Sequence, residues 1–525
     1  MIEPINNNLI LLITCNLASQ KKHINLNNAM KKNYLLLAIS FLTTTTQAQW
    51  IQKGADIDGE EAQEYSGRSV SMSSDGNTLA VGAPYNDGIA SNSGHVRIYE
   101  WSGAAWTQKG ADIDGEAADD ISGWSLSLSS DGNTVAIGAE ENDGSATSAG
   151  HVRVYEWSGT AWTQKGADID GEAAFDFSSR SVSMSADGNT LAIGASGNDG
   201  TATWAGHARV YEWSGTAWTQ KGADIDGEAA NDQSGHSVSM SSDGNTVAIG
   251  APYNDGAAGN AGHVRVYEWS GTAWTQKGAD INGEATNDQS GSSVSLSSDG
   301  NTVAIGAPFN GGAGAEAGQT RVYQWSGTSW AQKGTDIDGE TADDQSGYAV
   351  SISSDGNTVA IGAPYSDETA TDAGHVRVYK WSGSAWAQKG ADIDGEGADD
   401  QSGYAVTISS DGHSVAIGAI YNDGTGIWAG HVRAYYFSTV GIIENDFGNV
   451  LALYPNPTSG NISLDLGFIC ESAILTLTDI NGKLICSNTY NNRQLLDMRL
   501  KEPAGVYLLI VESEEKKAVI RLVKE

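Results

Sequence analysis

Pairs of aspartates one residue apart recur along this chain beside a glycine: Asp56/Asp58, Asp112/Asp114, Asp168/Asp170, Asp224/Asp226, Asp336/Asp338 and Asp392/Asp394, with Asp280/Asn282 as a related copy. Alternate carboxylates in a glycine-containing turn suit a hard cation, because Ca2+ takes oxygen ligands at about 2.3–2.6 Å and the loop must curl them inward. The spacing departs from the EF-hand pattern. Two readings therefore stand for these loops, a Ca2+ site and a solvated acidic turn.

Aromatic residues are the second candidate set. Of sixteen tryptophans, Trp50, Trp106, Trp162, Trp218, Trp274, Trp330 and Trp386 recur at an interval of 56 residues. Trp101, Trp157, Trp213, Trp269, Trp325 and Trp381 stand five residues before one of these, with Phe437 in the remaining place. A residue present in every copy serves what all copies share, which is packing. Trp124, Trp204 and Trp428 break the period, and Trp204 and Trp428 fall in the same variable loop of two repeats. These two are the candidates for contacting a ligand, a sugar among them, because an indole combines a broad apolar face with a polar N–H.

Histidine and arginine recur as Gly-His-Val-Arg-Val-Tyr: His95, His151, His207, His263, His375 and His431, with Gln319 in the remaining slot, each two residues before an Arg. On a strand such residues share a face, so each His lies beside a guanidinium. That neighbour disfavours a protonated or metal-bound imidazole, and the pattern reads as hydrogen bonding.

Nothing in this set makes a catalytic centre, which needs a few unlike groups in unequal roles. There is no Gly-x-Ser-x-Gly, His-Glu-x-x-His, phosphate loop or Cys-x-x-Cys. The chain is expected not to be an enzyme. An enzyme with a metal or quinone at a central axis is disfavoured because no repeat is expected to bring a distinctive residue there.

The elements that must position these residues follow from the repeat. A fixed period near 50 residues marks a solenoid, propeller or array. Within each copy Ser69–Ser73 and Thr78–Ala83 alternate small polar with apolar residues about an Asp75-Gly76-Asn77 turn, which reads as a hairpin of strands A and B. A looser stretch, 84–94, leads to strand C at His95–Trp101, and Ser102-Gly103 turns into strand D from Trp106. Val70, Met72, Leu79 and Val81 make one face bulky, while Ala80 and Gly82 leave the other thin, so sheets can stack large against small. No helical period appears.

The phase of the copies supports closure. The first complete strand is a D strand and the last, His431–Phe437, is a C strand. Trp50–Ile57 is therefore expected to supply the outer strand of the last blade. The expectation is an all-β chain: a seven-bladed β-propeller of 56-residue, four-stranded repeats over residues 50–438, then a linker at 439–450 and a small β-sandwich at 451–525. A linear β-solenoid would leave the unmatched D strand exposed. Acidic D-to-A loops and variable B-to-C loops should share one rim.

Composition narrows the setting. The formal charge is −36, and residues 1–49 (four Lys, one Glu) and 451–525 (eight basic, nine acidic) contribute little to it, so the excess lies in the repeats. Such a surface repels nucleic acid and anionic lipid. Residues 30–48 read as a signal peptide, with Lys31 and Lys32, an apolar run at Leu35–Leu42 and Thr46-Gln47-Ala48 before Gln49; residues 1–29 read as upstream of the true start. That run is too short for a transmembrane anchor. Of three cysteines, Cys470 and Cys486 could pair in an oxidising compartment, and spacing leaves this open.

Two resemblances follow. Ser66-Gly67-x-x-Val70, Val81-Gly82-Ala83-Pro84 and Gly94-His95-Val96-Arg97-Ile98-Tyr99 resemble the FG-GAP repeat of integrin α-subunit propellers and bacterial surface proteins. Ser replaces the family's Phe, and the tight Ser-Ser-Asp-Gly-Asn turn replaces its longer acidic run, so the family's metal site is not carried to Asp75. The segment with Tyr454-Pro455-Asn456-Pro457-Thr458-Ser459-Gly460, Asp479–Ile485 and Pro503–Val511 resembles the sorting domain of the type IX secretion system. That resemblance implies contact with the secretion machinery, export across a Gram-negative envelope, and release or attachment to the outer membrane.

Together these readings point to a secreted or cell-surface monomer that binds an extracellular protein or polysaccharide through the acidic loop face. A lectin-like propeller is the alternative. A hydrolase or a quinone or metal enzyme ranks below both.

Overall fold

The computed structural model describes residues 49–438, 442–445, 447, 451–454, 458, 460–479, 482–513 and 516–524. The expected leader and the motif residues Pro455, Asn456 and Pro457 lie outside the described residues. Ala48–Val440 form one compact unit, and Gly441–Glu525 belong to another.

The first unit is a closed β-propeller of seven antiparallel sheets. In blade 1, strand A is Ser69–Met72, B Thr78–Ala83, C His95–Trp101, and D is split into Trp106–Gln108 and Ile113–Asp114. The split is the one departure from the expected four continuous strands. It falls at Lys109-Gly110, where Gly110 has φ +88° and the Lys109 N–H still bonds the Ile98 carbonyl at 2.7 Å.

The core lies between blades. Leu126, Leu128, Val135 and Ile137 of blade 2 pack on Ala80, Val96, Ile98 and Ile113 of blade 1, with Tyr155 and Trp162 at the margin. Large side chains thus enter the thin side of the neighbour, as the alternation implied. The approach is close enough that a Cβ on Gly82 would sit 2.2 Å from the Gly123 carbonyl oxygen, so only glycine fits.

Blade 7 is completed by the N-terminal strand: Gln49, Trp50, Ile51 and Gln52 pair with Ser438, Phe437, Tyr436 and Tyr435, and Ile57 with Val432. Ile57, Met72, Leu79 and Val81 then bury against Ala416, Val432 and Ala434. Around the axis the A-to-B turns close a backbone ring, each residue donating to the next blade from Ser74 through Ser130, Ala186, Ser242, Ser298 and Ser354 to Ser410, whose N–H bonds the Ser74 carbonyl at 3.0 Å.

The second unit is an antiparallel sheet ordered Ile442–Asn445, Lys516–Lys524, Gly505–Ser513, Asn461–Asp479, Ala452–Tyr454, with Leu484–Arg499 also on Asn461–Asp479. Ile442–Asn445 falls within the stretch expected as a linker and is a strand of this sheet. Cys470 and Cys486 are free: Cys470 faces Arg493 and Cys486 faces Leu477.

Candidate functional site

The repeated acidic residues are built into the junctions between blades. Asp58 pairs with His431 and Asp114 with His95, so the second aspartate of each pair ends the broken D strand beside its blade's histidine. Its backbone carbonyl accepts from the arginine of the next blade: Arg97 Nη2 to Asp58 O is 2.8 Å and Arg265 Nη2 to Asp226 O is 2.6 Å. The same guanidinium reaches the loop glutamate, Arg265 to Glu228 at 3.5 Å and Arg377 to Glu340 at 3.1 Å. The first aspartate accepts from the glutamine ahead of it, as Gln164 Nε2 to Asp168 Oδ1 at 2.6 Å. The histidine–arginine face foreseen in the sequence is therefore a clamp on the preceding blade.

Histidine, first aspartate and glutamate do converge, for example at Glu60, His95 and Asp112, at Glu116, His151 and Asp168, and at Glu340, Glu368, His375 and Asp392. The two aspartates of the candidate pair Asp168/Asp170 stand in different surroundings. Asp170 is exposed, lies opposite His151 in the ladder, and gives its backbone carbonyl to Arg209 Nη2 at 2.8 Å. The clamp thus uses the main chain of Asp170 and leaves its carboxylate in solvent, while the carboxylates that meet His151 are those of Asp168 and Glu116. Where the first and last strands of the propeller join, both aspartates of a pair, Asp56 and Asp58, gather at His431. The imidazoles are buried and their pKa is pushed down, to about 4 for His95, His263 and His431, first by loss of water and then by the adjacent arginine. They are neutral at neutral pH.

The acidic and variable loops share one rim. Gly94 bridges Ser122, the Asp119 N–H bonds the Ser91 carbonyl at 2.8 Å, and Asn92 Nδ2 reaches Asp119 Oδ1 at 2.9 Å. Trp204 and Trp428 stand on this rim, 45% and 42% exposed. Both have left-handed backbone, φ +53° and +56°, at the place where the other blades carry Asn92, Ser148, Asn260, Glu316 and Asp372, all likewise with positive φ. Asn and Asp adopt that conformation readily and a bulky residue does so at a cost, so the turn itself gives no reason for tryptophan at this changing position. Trp428 lies against Tyr65 and Tyr421, ring centroids 6.4 and 5.7 Å away.

The rim leads inward to a cavity of about 450 Å³ at the axis. Its entrance is formed by seven repeat-equivalent residues at the head of the innermost strands: Arg68, Trp124, Arg180, His236, Ser292, Tyr348 and Tyr404, of which Arg180 and Tyr404 lie within their strands and the others just before them. The expectation that no blade brings a distinctive residue to the axis is thereby corrected. Seven equivalent positions carry five residue types, while the opposite end of the channel is lined by near-identical Met72, Leu128, Met240, Leu296, Ile352 and Ile408 with serines. The signal was present in the sequence as one changing column between small neighbours that vary little, as in Ser66-Gly67-Arg68-Ser69 and Ser122-Gly123-Trp124-Ser125.

The groups at the mouth interact across blades. The Arg68 guanidinium lies 3.8 Å from the Trp124 ring centroid and 5.0 Å from that of Tyr404. The Tyr348 and Tyr404 rings lie 4.8 Å apart. Arg180 pairs with Glu140 at 3.2 Å, and this buried carboxylate occupies the place that is proline in four blades. His236 Nδ1 is buried without a hydrogen-bond partner, and its pKa is pushed down to about 3, chiefly by burial and then by Arg180 and Arg68.

The class defined by this architecture is a seven-bladed β-propeller with a loop-built rim, joined to a separate β-domain. The comparisons sharpen it: residues 56–99 match the FG-GAP repeat, and residues 452–525 match the secretion system C-terminal sorting domain. The sorting domain marks a secreted or cell-surface protein that engages the type IX machinery. Within it Gly460 is held by an N–H to Thr458 Oγ1 bond of 2.9 Å, and its carbonyl accepts from Leu500. No helix among the described residues is long and apolar enough to cross a membrane. No curated protein matches the chain. Similar solved structures include a putative 6-phosphogluconolactonase from Bacteroides uniformis (11% identity, TM-score 0.45, covering 63% of this chain and 86% of that one). Another is Chaetomium thermophilum Raptor (9% identity, TM-score 0.47, 75% of this chain and 29% of that one).

Proposed function

We propose that this chain is a non-catalytic binding protein of the cell exterior, an adhesion or interaction module whose propeller engages an extracellular protein or polysaccharide through its loop face. One observation carries the reading. The repeat is nearly uniform wherever it builds blades and diverges where the loops and the channel mouth meet solvent. Function that must distinguish partners resides in such variable positions on a rigid scaffold. The sorting domain supports an extracellular site of action.

The test is genetic and quantitative. Cells lacking the gene should lose attachment to at least one natural surface. The wild-type gene should restore it, while a Trp124→Ala/Trp204→Ala/Trp428→Ala variant exported at equal level should not. Full attachment by that variant would refute a role for the loop face.

A further inference from the structure

We propose that the channel mouth is a binding site for an acidic sugar residue of a polysaccharide, its anionic group held by Arg68 and its ring lying on Trp124, Tyr348 or Tyr404. This names the ligand class for the loop face and rests on that face being the recognition surface.

Arg68 is the first observation. Every other arginine of the described propeller lies within 3.1–3.5 Å of a glutamate. Arg68 has no carboxylate within ion-pair distance among the described residues, although the chain carries 65 acidic groups. It is half-buried and held between aromatic faces, which fix the guanidinium while leaving its N–H donors unspent. In so acidic a molecule a positioned cation without an ion-pair partner is suited to receive an anion supplied from outside. Carboxylate and sulfate both match its fork.

The surroundings select the rest of the ligand. The cavity, about 450 Å³, is within the range of small-molecule sites. Besides Arg68 it offers aromatic ring faces and neutral polar groups, His236 and Gln289 among them. A hydroxylated ring with apolar C–H faces uses all three kinds of group. An acidic peptide side chain would use the guanidinium and leave the ring faces and the His236 Nδ1 idle. A second cavity of about 300 Å³ shares Arg180 with the first and continues past Glu140 and Phe177 to the exposed Trp204. It gives an oligosaccharide a path from axis to rim.

Calorimetry on the full chain with tetragalacturonate, a sulfated galactan tetrasaccharide, cellotetraose and tetraglutamate tests this. One or both acidic sugars should bind at least about tenfold more tightly than cellotetraose and tetraglutamate, and weaken with added salt. The uronate and sulfate arms tell which anion is preferred. Arg68→Gln should abolish the preference over cellotetraose, with an unchanged melting temperature showing that the fold is kept. Glu140→Gln, which releases Arg180 from its partner, should tighten acidic-sugar binding several-fold and supplies an independent arm should Arg68→Gln not fold. Binding of tetraglutamate as tight as that of the acidic sugars would overturn the proposal, as would no binding of either acidic sugar to folded protein. Attachment that still depends on the loop face in that last case would leave the broader reading standing and remove only the sugar.

Discussion

The indole N–H of Trp50 donates to the carbonyl of Lys389 at 2.7 Å, joining residues 339 apart in sequence. The same bond recurs from Trp106 to Lys53 and from Trp218 to Lys165, so each D-strand tryptophan ties its blade to the one before. Each lysine returns the contact: Lys165 Nζ reaches the Gly188 carbonyl at 3.0 Å in the next A-to-B turn. At Trp50 this staple also closes the ring, with the indole edge-on to Phe437 at 5.0 Å and only 6% exposed. Trp50→Ala is therefore expected to cost about 3–5 kcal/mol, the range for deleting a buried aromatic. Trp218→Ala, at a half-buried site inside the ring, should cost less. Urea unfolding of both variants measures this, and equal losses would show that closure adds nothing to ordinary blade packing.

The arginine clamp sets the expectation for cations. Arg265 is 6% exposed on its side chain and spans Asp226 O and Glu228, whose side chain is 47% exposed. Arg265→Ala removes a buried guanidinium and the donor to the part-buried Asp226 carbonyl, and should cost about 1–2 kcal/mol. Glu228→Gln breaks a solvent-facing pair and should cost less than about 1 kcal/mol. A guanidinium already placed at each glutamate opposes a second cation there. Thermal melts in millimolar Ca2+ and in chelator should coincide. A cation present at 100 times its Kd would add about 2.7 kcal/mol, and a rise of that size would favour the calcium reading of the aspartate pairs over the solvated turn.

The thiols give a third prediction. Cys486 pairs with Leu477, seven residues along the same strand from Cys470. At about 3.3 Å per residue that is roughly 23 Å, far beyond the 4.4–6.8 Å between Cα atoms that a disulfide spans. Both cysteines should alkylate in denaturant without reductant, and reductant should leave the melting temperature unchanged. Protection of the pair from alkylation would mean that this sheet has a different register.

Much of this architecture was legible because a period is independent of contacts. The interval of 56 residues and the unmatched first D strand suffice to count the blades and assign Trp50–Ile57 to the last one, and alternation suffices to set the bulky face of Val70, Met72, Leu79 and Val81 against a neighbour's thin face. The clamp was not legible. Arg97 and Asp58 stand 39 residues apart on different blades, and neither local spacing nor strand face links them. For the same reason the different duties of Asp168 and Asp170 were hidden, since the Arg209 that claims the Asp170 carbonyl is also 39 residues away. The break in strand D was hidden because Lys-Gly inside an alternating run is also compatible with a continuous strand. The channel mouth escaped for another reason: attention to what repeats passes over the column Arg68, Trp124, Arg180, His236, where the meaning is in what does not.

Acid sensitivity follows from the same buried histidines. His95, His263 and His431 have folded pKa values near 4 against an ordinary value of 6.5, because burial first and the neighbouring arginine second oppose the imidazolium. Between these values the unfolded chain binds protons that the folded chain refuses, so the slope of stability against pH is positive. Their part of the stability is fully present above pH 6.5 and is lost progressively as pH falls towards 4. Gln319 shows that this position accepts glutamine: its Nε2 lies 3.3 Å from Asp338 Oδ1 in the ladder. A His95→Gln/His263→Gln/His431→Gln variant should therefore keep its melting temperature at pH 7.5 within a few degrees and lose less of it between pH 6.5 and 4 than the wild type. Parallel curves for the two proteins would assign the acid loss to carboxylates and sink the histidine account.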